Sequence, residues 1–221
     1  MDAMFQTSSS ISFLNFGYSD LFRISRFEFR ILVGTFSLLL GLAGGCASAP
    51  SHFYTLSASG ATPKDSSDVS VAVGPVSIPA VVDRPQIVVS IGPNQVRLEE
   101  FDRWALPLQN NIARVIAENL TVQLGTPRVT VFPELTSMDA DYRAIIDVQR
   151  FDSVPGEAAT LEALWIVRRM KDAKAERGRT VVREAVQTRD YEALAAGHSR
   201  AVARLSRDIA DAVGALAHGA Q

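Results

Sequence analysis

The only cysteine of the chain, Cys46, is the feature that most constrains how this sequence can fold. It follows an apolar run over residues 31–42 and three small residues, and basic side chains precede that run at Arg23, Arg26 and Arg30. A basic stretch, an apolar segment and a small-residue cleavage site form the layout of a secretory signal. We therefore predict a signal peptide over residues 1–45, a tether over 46–52 and a single exported domain over 53–221. Because no second cysteine exists, that domain must fold without a disulfide.

The run Leu42-Ala43-Gly44-Gly45-Cys46 resembles a bacterial lipobox, in which the cysteine becomes the acylated N-terminus of the mature chain. A thiol is the side chain nucleophilic enough to take a diacylglycerol as a thioether, so Cys46 is the predicted lipid-attachment residue. Two other interpretations stay open from the residues alone. A membrane-spanning helix needs about 20 apolar residues, whereas this run ends near Gly45. A buried core cysteine fits poorly with the small residues and proline that follow Cys46.

Composition indicates an ordinary globular domain. The chain is 47% hydrophobic and 21% charged, with a net charge of −2. It is thus neither depleted in apolar residues, as disordered chains are, nor basic enough to bind nucleic acid through gross charge. Residues 53–221 are numerous enough to bury a sizeable core.

Hydrophobic periodicity predicts both strands and helices. Short alternating or β-branched runs predict strands over residues 53–56, 69–78, 86–91, 95–99, 128–132, 141–151, 161–170 and 180–188, with a charged turn over 171–178. Helical spacing predicts a first helix from Leu108 to Leu124, stopped by Gly125, and a long last helix after a capping Asp190. The expected fold class is α/β, a sandwich in which two main helices cover one face of a mixed, mostly antiparallel sheet.

Four motifs in order resemble the PqiC/YmbA-like family of auxiliary lipoproteins, which serve ABC-type, MCE-containing lipid transport systems. The motifs are Phe53-Tyr54-Thr55-Leu56, residues 73–79 (VGPVSIP), residues 83–88 (DRPQIV) and residues 101–108 (FDRWALPL). The resemblance implies a lipid-anchored protein of the outer membrane that faces the periplasm of a Gram-negative bacterium. It also implies an MCE-domain protein and an inner-membrane permease as partners, and homo-oligomers such as rings without a fixed subunit number.

Two of these motifs contain side chains suited to binding a partner. In the first, Asp83 and Arg84 precede Pro85, and an arginine fork can bind a partner carboxylate or a lipid phosphate in a bidentate way. The alternative is that both side chains make turn hydrogen bonds. In the second, Trp104 can anchor an interface or close the core over the start of the first helix. Asp83, Arg84 and Trp104 are the candidate partner-binding residues.

Catalytic and metal-binding patterns are absent from the sequence. It has no G-x-S-x-G elbow, no His or Cys pair at metal spacing and no phosphate-binding G-x-x-x-x-G-K motif. His198 lies beside the apolar stripe of the last helix, where a hydrogen-bonded core histidine is the usual role. We therefore expect no enzyme activity, no metal and no cofactor.

Three classes of function remain after the sequence analysis. The leading hypothesis is a non-enzymatic subunit that docks a lipid transport complex to the outer membrane and supports envelope integrity. The alternative is a free-standing periplasmic lipid-binding lipoprotein, which needs an apolar cavity of several hundred cubic ångströms. An envelope hydrolase is disfavoured by the missing nucleophile and base pairs.

Overall fold

The structure, a computed structural model, describes residues 49–59 and 68–218. The predicted signal peptide and Cys46 lie outside the described residues. Within the described residues, eight strands and two helices follow one another, with one short 3-10 turn at Leu135–Ser137. They are β1 (His52–Tyr54), β2 (Val71–Ser77), β3 (Gln86–Gly92), β4 (Gln95–Trp104), α1 (Leu108–Leu124), β5 (Val129–Val131), β6 (Tyr142–Val154), β7 (Ala158–Arg169), β8 (Ala175–Ala185) and α2 (Tyr191–His218).

The strands form two mixed sheets. A five-stranded sheet has the order β5-β2-β6-β7-β8, and a three-stranded sheet has the order β1-β4-β3. In the larger sheet β2 is parallel to both β5 and β6, whereas β6, β7 and β8 run antiparallel. In the smaller sheet β1 is parallel to β4, and β3 and β4 form a hairpin. The predicted α/β class is confirmed, and the strands expected in one sheet are divided between two.

Both helices pack on the five-stranded sheet and on each other. Helix α1 lies against β2 and β5, and α2 lies against β7 and β8. The apolar stripes predicted from the sequence face this interior, because Ile112, Ile116, Leu205 and Ile209 are fully buried. On the sheet side, β6 buries alternate residues from Tyr142 to Val148, as its period of two requires.

The helix ends follow the sequence signals. Gly125 adopts a left-handed conformation after α1, and its N–H donates to the carbonyl of Val122, which is a common way to end a helix. The carboxylate of Asp190 accepts a hydrogen bond from the backbone N–H of Ala193 at 2.7 Å, so Asp190 caps α2 as predicted. At the other end of α2, the buried guanidinium of Arg169 donates to the carbonyl of Leu216 at 2.7 Å.

The segment after β1 lies across both helices. The backbone N–H of Ser57 donates to the Ser199 hydroxyl at 3.1 Å, and that of Ser59 donates to the Asn119 side-chain oxygen at 2.9 Å. The Asn119 amide in turn donates to the hydroxyl of Ser206 on α2 at 3.3 Å. These side chains satisfy a backbone that belongs to no sheet. They hold the first part of the domain against the seam between α1 and α2.

Candidate functional site

The third and fourth of the four motifs, residues 83–88 and 101–108, meet at one groove. It measures about 320 Å³ and is lined by residues 83–85 and 104–108. The backbone N–H of Trp104 donates to the carbonyl of Pro85 at 2.7 Å and joins the two walls. We call this feature the Arg84 groove. It contains all three candidate partner-binding residues, Asp83, Arg84 and Trp104.

Arg84 is presented to the groove by a hydrogen-bonded loop. The N–H of Val82 donates to the carbonyl of Pro79 at 3.0 Å, and the N–H of Arg84 donates to the carbonyl of Val82 at 2.9 Å. These local bonds and the fixed φ of Pro85 hold the backbone in place before β3 begins. The rigid loop therefore offers the Arg84 side chain from a defined position.

Among residues 49–59 and 68–218, no carboxylate pairs with the Arg84 guanidinium. Its Nε is buried and finds no hydrogen-bond partner among the described residues, and the neighbouring Asp83 is exposed and does not pair with it. A buried donor without a partner is costly for a folded protein. The alternative interpretation was that the Asp83 and Arg84 side chains make turn hydrogen bonds. In the structure the hydrogen bonds of this loop come from its backbone rather than from the Arg84 side chain.

Trp104 forms the inner wall of the groove. Its side chain is 6% exposed and meets the ring of Phe151 edge-on, with ring centroids 6.1 Å apart. The ring of Phe151 stacks on the imidazole of His198 at 3.7 Å. The indole therefore connects the groove to the core, and a ligand in the groove would contact only its outer edge.

The groove has an apolar rim and a positive floor. Leu106 in the wall and Val81 in the adjacent loop are both more than two fifths exposed. Helix α1 begins at Leu108 with Pro107 as N-cap and no side chain capping it, so its first backbone N–H groups point outward with the positive end of the helix dipole. Together with Arg84, this arrangement favours a ligand that carries both an apolar group and a negative charge.

His198 is a core residue, as its position in the sequence indicated. It is completely buried, and burial lowers the pKa of its imidazole to about 3. Its Nε2 lies 2.8 Å from the hydroxyl of the buried Ser153. A serine and a histidine within hydrogen-bond distance are the beginning of a nucleophilic site, but neither atom is open to a substrate here. Among residues 49–59 and 68–218, no group of three or more acidic, histidine or cysteine side chains could hold a metal ion.

Sequence reasoning missed one surface. Near the turn of the β3–β4 hairpin, Ile91, Val96 and Leu98 are exposed. In the sequence they resemble core residues, because they belong to an apolar run or alternate with polar residues. The signal available in the sequence was the Gly92-Pro93-Asn94 turn, since a hairpin tip has neighbours on fewer sides than the interior of a sheet.

The chain belongs to the family described as the ABC-type transport auxiliary lipoprotein component, whose model matches residues 54–210. This is a family of transport accessory proteins rather than enzymes. Among proteins with curated annotation, none matches the chain. In the part of the chain that the structure describes, no helix is long and apolar enough to cross a membrane.

Two solved structures share the fold of this chain, and a third has a low TM-score. XCC0632 from Xanthomonas campestris, assigned to DUF330, is 19% identical with a TM-score of 0.61, over 77% of this chain and all of that protein. An uncharacterized protein is 17% identical with a TM-score of 0.61, over 75% of this chain and 99% of its own. A dodecamer of PelC from Paraburkholderia phytofirmans is 12% identical, with a TM-score of 0.36 over 67% of this chain and 89% of its own.

Proposed function

We propose that this protein is a non-enzymatic outer-membrane lipoprotein that docks an MCE-containing, ABC-type lipid transport complex to the outer membrane. Residues 1–45 serve as its signal peptide, the Sγ of Cys46 carries the lipid, and residues 53–221 fold as one periplasmic domain. The family membership supports a role as transport accessory lipoprotein. The partners are the MCE-domain protein and the permease of the same system, with further copies of the chain as a third partner.

The observation that carries the docking role is the unpaired Arg84 in its groove. An arginine whose Nε is buried without a partner is stabilised when a partner carboxylate supplies two parallel hydrogen bonds. The exposed Leu106 and Val81 beside it suit an apolar side chain next to that carboxylate. We therefore assign the groove to a peptide segment of the partner that carries an acidic residue beside an apolar one.

A free-standing lipid carrier is less well supported. Such a protein needs a mainly apolar cavity that covers most of an acyl chain. The Arg84 groove instead mixes Asp83 and Arg84 with its apolar wall, in a volume of about 320 Å³. Its chemistry fits a short peptide contact better than an acyl chain.

Affinity purification of the native lipoprotein from detergent-solubilised envelope tests the proposal. The wild-type chain is expected to recover the MCE-domain protein, and Arg84→Ala is expected to recover much less while folding and fractionating normally. Truncating an interface arginine commonly costs about 2 kcal/mol or more, roughly thirtyfold in affinity. Arg207→Ala is the matched control, because Arg207 lies exposed on α2 away from the groove.

Two outcomes would count against the proposal. If the wild-type chain recovers no MCE-domain protein, the transport partner is wrong. If Arg84→Ala and Arg207→Ala recover equal amounts, the groove is not the docking site. Trp104→Ala is unsuitable as the only variant, since a Trp that is 6% exposed also supports the core, and its loss lowers stability as well as binding.

A further inference from the structure

Strand β3 has one edge without a strand partner. It is the outer strand of the three-stranded sheet and pairs only with β4. Within the described ranges 49–59 and 68–218, no backbone hydrogen bond from another segment reaches residues 90–92 at its end. In an antiparallel pair, each strand turns part of its N–H and C=O groups away from its partner. Such open groups are a template for a further extended chain.

The end of β3 forms one wall of a cleft of about 680 Å³, which we call the Arg189 cleft. Residues 90–92 line it, together with residues 154–157 of the β6–β7 turn, Arg97, Arg189 and Tyr191. Strands β3 and β6 approach each other but belong to different sheets. The cleft therefore lies where the two sheets adjoin without sharing hydrogen bonds. Its volume is within the range of roughly 300–1,000 Å³ that is usual for binding sites.

Arg189 brings an unneutralised positive charge to this cleft. It is exposed just before α2 and makes no hydrogen bond or ion pair with any residue that the structure describes. Its aliphatic stem packs over Gly156, where an added Cβ would lie 3.0 Å from Cγ of Arg189. The N–H of Gly156 donates to the carbonyl of Thr188 at 3.0 Å and holds the β6–β7 turn beside Arg189. The guanidinium is thus held at the wall of the cleft and is available to an anion.

The other charged side chains of the cleft already have partners. Nε of Arg97 lies 2.6 Å from Oε1 of Glu99, and the phenol of Tyr191 is hydrogen bonded to both of these side chains. Glu157 pairs with Arg183 at 2.5 Å. The unpaired arginine therefore determines the charge preference of the cleft, which favours a ligand with a negative group.

Apolar surface beside the strand edge suits the side chains of an added strand. Ile91 is 46% exposed, and Val154 and Pro155 line the cleft from the β6–β7 turn. Successive side chains of a strand point to opposite faces, so a chain bound along β3 would turn every second side chain to the same apolar surface. A small soluble anion would contact the guanidinium but leave the strand edge open. The combination of edge, charge and apolar surface favours an extended acidic peptide.

We propose that the Arg189 cleft is a strand-addition site, in which an extended peptide segment of a partner protein pairs with the free edge of β3 and places an acidic side chain on Arg189. In this mode of recognition the main-chain hydrogen bonds give affinity and the alternate side chains give specificity. The inference does not rest on docking at the Arg84 groove. Residues 83–85 of that groove precede β3, whereas residues 90–92 lie at its other end.

Fluorescence anisotropy with a synthetic strand tests the proposal. The probe is a fluorescein-labelled peptide of sequence TVTDTVT, in which the acid and both valines point to the same face. It is titrated with the full chain, purified in detergent. Two matched peptides separate the contributions. TVTNTVT lacks the negative charge, and a copy of the probe that is N-methylated at its three central amides keeps the charge but loses donors on both of its edges.

The wild-type chain is expected to bind the probe about tenfold more tightly than either matched peptide, since a hydrogen bond to a charged group is worth about this factor. Arg189→Gln should weaken binding of the probe about tenfold and leave binding of TVTNTVT unchanged. Arg207→Gln is the matched control, because Arg207 is exposed on α2 and does not line the cleft. Hydrogen exchange measured by mass spectrometry should show that the probe protects residues 90–92, and thermal unfolding confirms that each variant folds.

Several results would overturn strand addition. Equal binding of the N-methylated peptide would reduce the site to a simple anion contact. Absence of binding to the wild type, or equal binding by Arg189→Gln and Arg207→Gln, would remove the site. Loss of probe binding in Arg84→Ala, or protection over residues 104–108 instead of 90–92, would assign the peptide to the Arg84 groove. In contrast, normal probe binding by a chain that recovers no MCE-domain protein would support the Arg189 cleft and reject only the proposed transport partner.

Discussion

The hydroxyl of Ser153 on β6 lies 2.8 Å from Nε2 of His198 on α2, and both side chains are buried. The opposite ring nitrogen, Nδ1, has no hydrogen-bond partner in the described part of the chain. The imidazole also stacks almost parallel on Phe151, with 9° between the two planes. In this setting the neutral imidazole is favoured, because a charged ring would lose its hydration without gaining a counter-ion.

Folding stability is therefore expected to fall in mild acid. The pKa of His198 is about 3 in the folded protein and 6.5 at its ordinary value. Between these values only the unfolded chain binds the proton, so stability is fully present above pH 6.5 and is lost as the pH falls toward 3. The loss is about 1.4 kcal/mol for each pH unit below 6.5. Chemical denaturation at pH 7.5 and 5.5 measures it.

Two histidine variants isolate this effect. In His198→Gln the amide can still bond Ser153 but cannot titrate, and the part of the pH dependence that comes from His198 should disappear. His218→Gln, at an exposed position near the end of α2, should retain the wild-type pH dependence. Equal pH dependence in the two variants would show that His198 is not the titrating group.

A matched pair of glycines gives opposite predictions for the same substitution. In β8, Gly178 lies opposite Trp165 of β7, and a Cβ added at Gly178 would approach the indole within 2.1 Å. Gly178→Ala must displace the indole, whose Nε1 donates to the Thr180 hydroxyl at 3.0 Å, at a cost of about 1–3 kcal/mol. Thermal unfolding should show a lower melting temperature.

In contrast, Gly214 lies in α2 with no atom within 4 Å of an added Cβ. Gly214→Ala is expected to raise stability by up to about 1 kcal/mol, because alanine is the better helix former. If both substitutions raised the stability, or both lowered it, the packing assigned to Trp165 and Gly178 would be contradicted.

The helix seam makes a third prediction. Ile116 of α1 and Leu205 of α2 are fully buried, so Ile116→Ala and Leu205→Ala should each lower the free energy of unfolding by about 2–5 kcal/mol. Glu118→Ala is the control, because Glu118 pairs with Arg114 on the helix surface, and surface ion pairs contribute at most about 1 kcal/mol. Similar denaturation midpoints for all three variants would be inconsistent with the two-helix core.

The anchor itself makes the fourth prediction. Cys46→Ser should leave the protein as an uncleaved or soluble form without incorporated palmitate, since a serine hydroxyl does not replace the thiol as lipid acceptor. Cell fractionation and radiolabelled palmitate measure both effects. Ala47→Asp is the companion variant, which the lipobox resemblance expects to retain the lipid but stay in the inner membrane. Wild-type fractionation of Cys46→Ser would reject the anchor.

The elements with strong local signals were predictable from the sequence. Gly125 and Asp190 set the end of α1 and the start of α2 where the structure has them. Pairing over long distances was not predictable in the same way. The charged turn expected over residues 171–178 is shorter, since β8 begins at Ala175 and Gly178 is already paired with Trp165. The pairing of β7 with β8 includes charged residues. This is possible because β8 is an edge strand of the sheet, where charged side chains can stay in water.

The candidate site was also predictable from the sequence only in part. The sequence identified Asp83, Arg84 and Trp104 one motif at a time, from residue types that recur in binding sites. It did not show that the two motifs share one groove, because the hydrogen bond from Trp104 to Pro85 joins strands of a hairpin whose ladder is irregular near this end. Register shifts of this kind depend on packing and have no simple sequence signature.

The path of the chain after β1 determines how the domain bears a mechanical load. A pull on the tether acts along β1, which is hydrogen bonded in parallel to β4. The load then reaches Ser57 and Ser59, whose backbone N–H groups are held by Ser199 of α2 and Asn119 of α1. A force along a strand loads its lateral hydrogen bonds together in shear instead of opening them one at a time. The proposed anchoring and docking would place such a force on the domain, which would resist it through both helices at once.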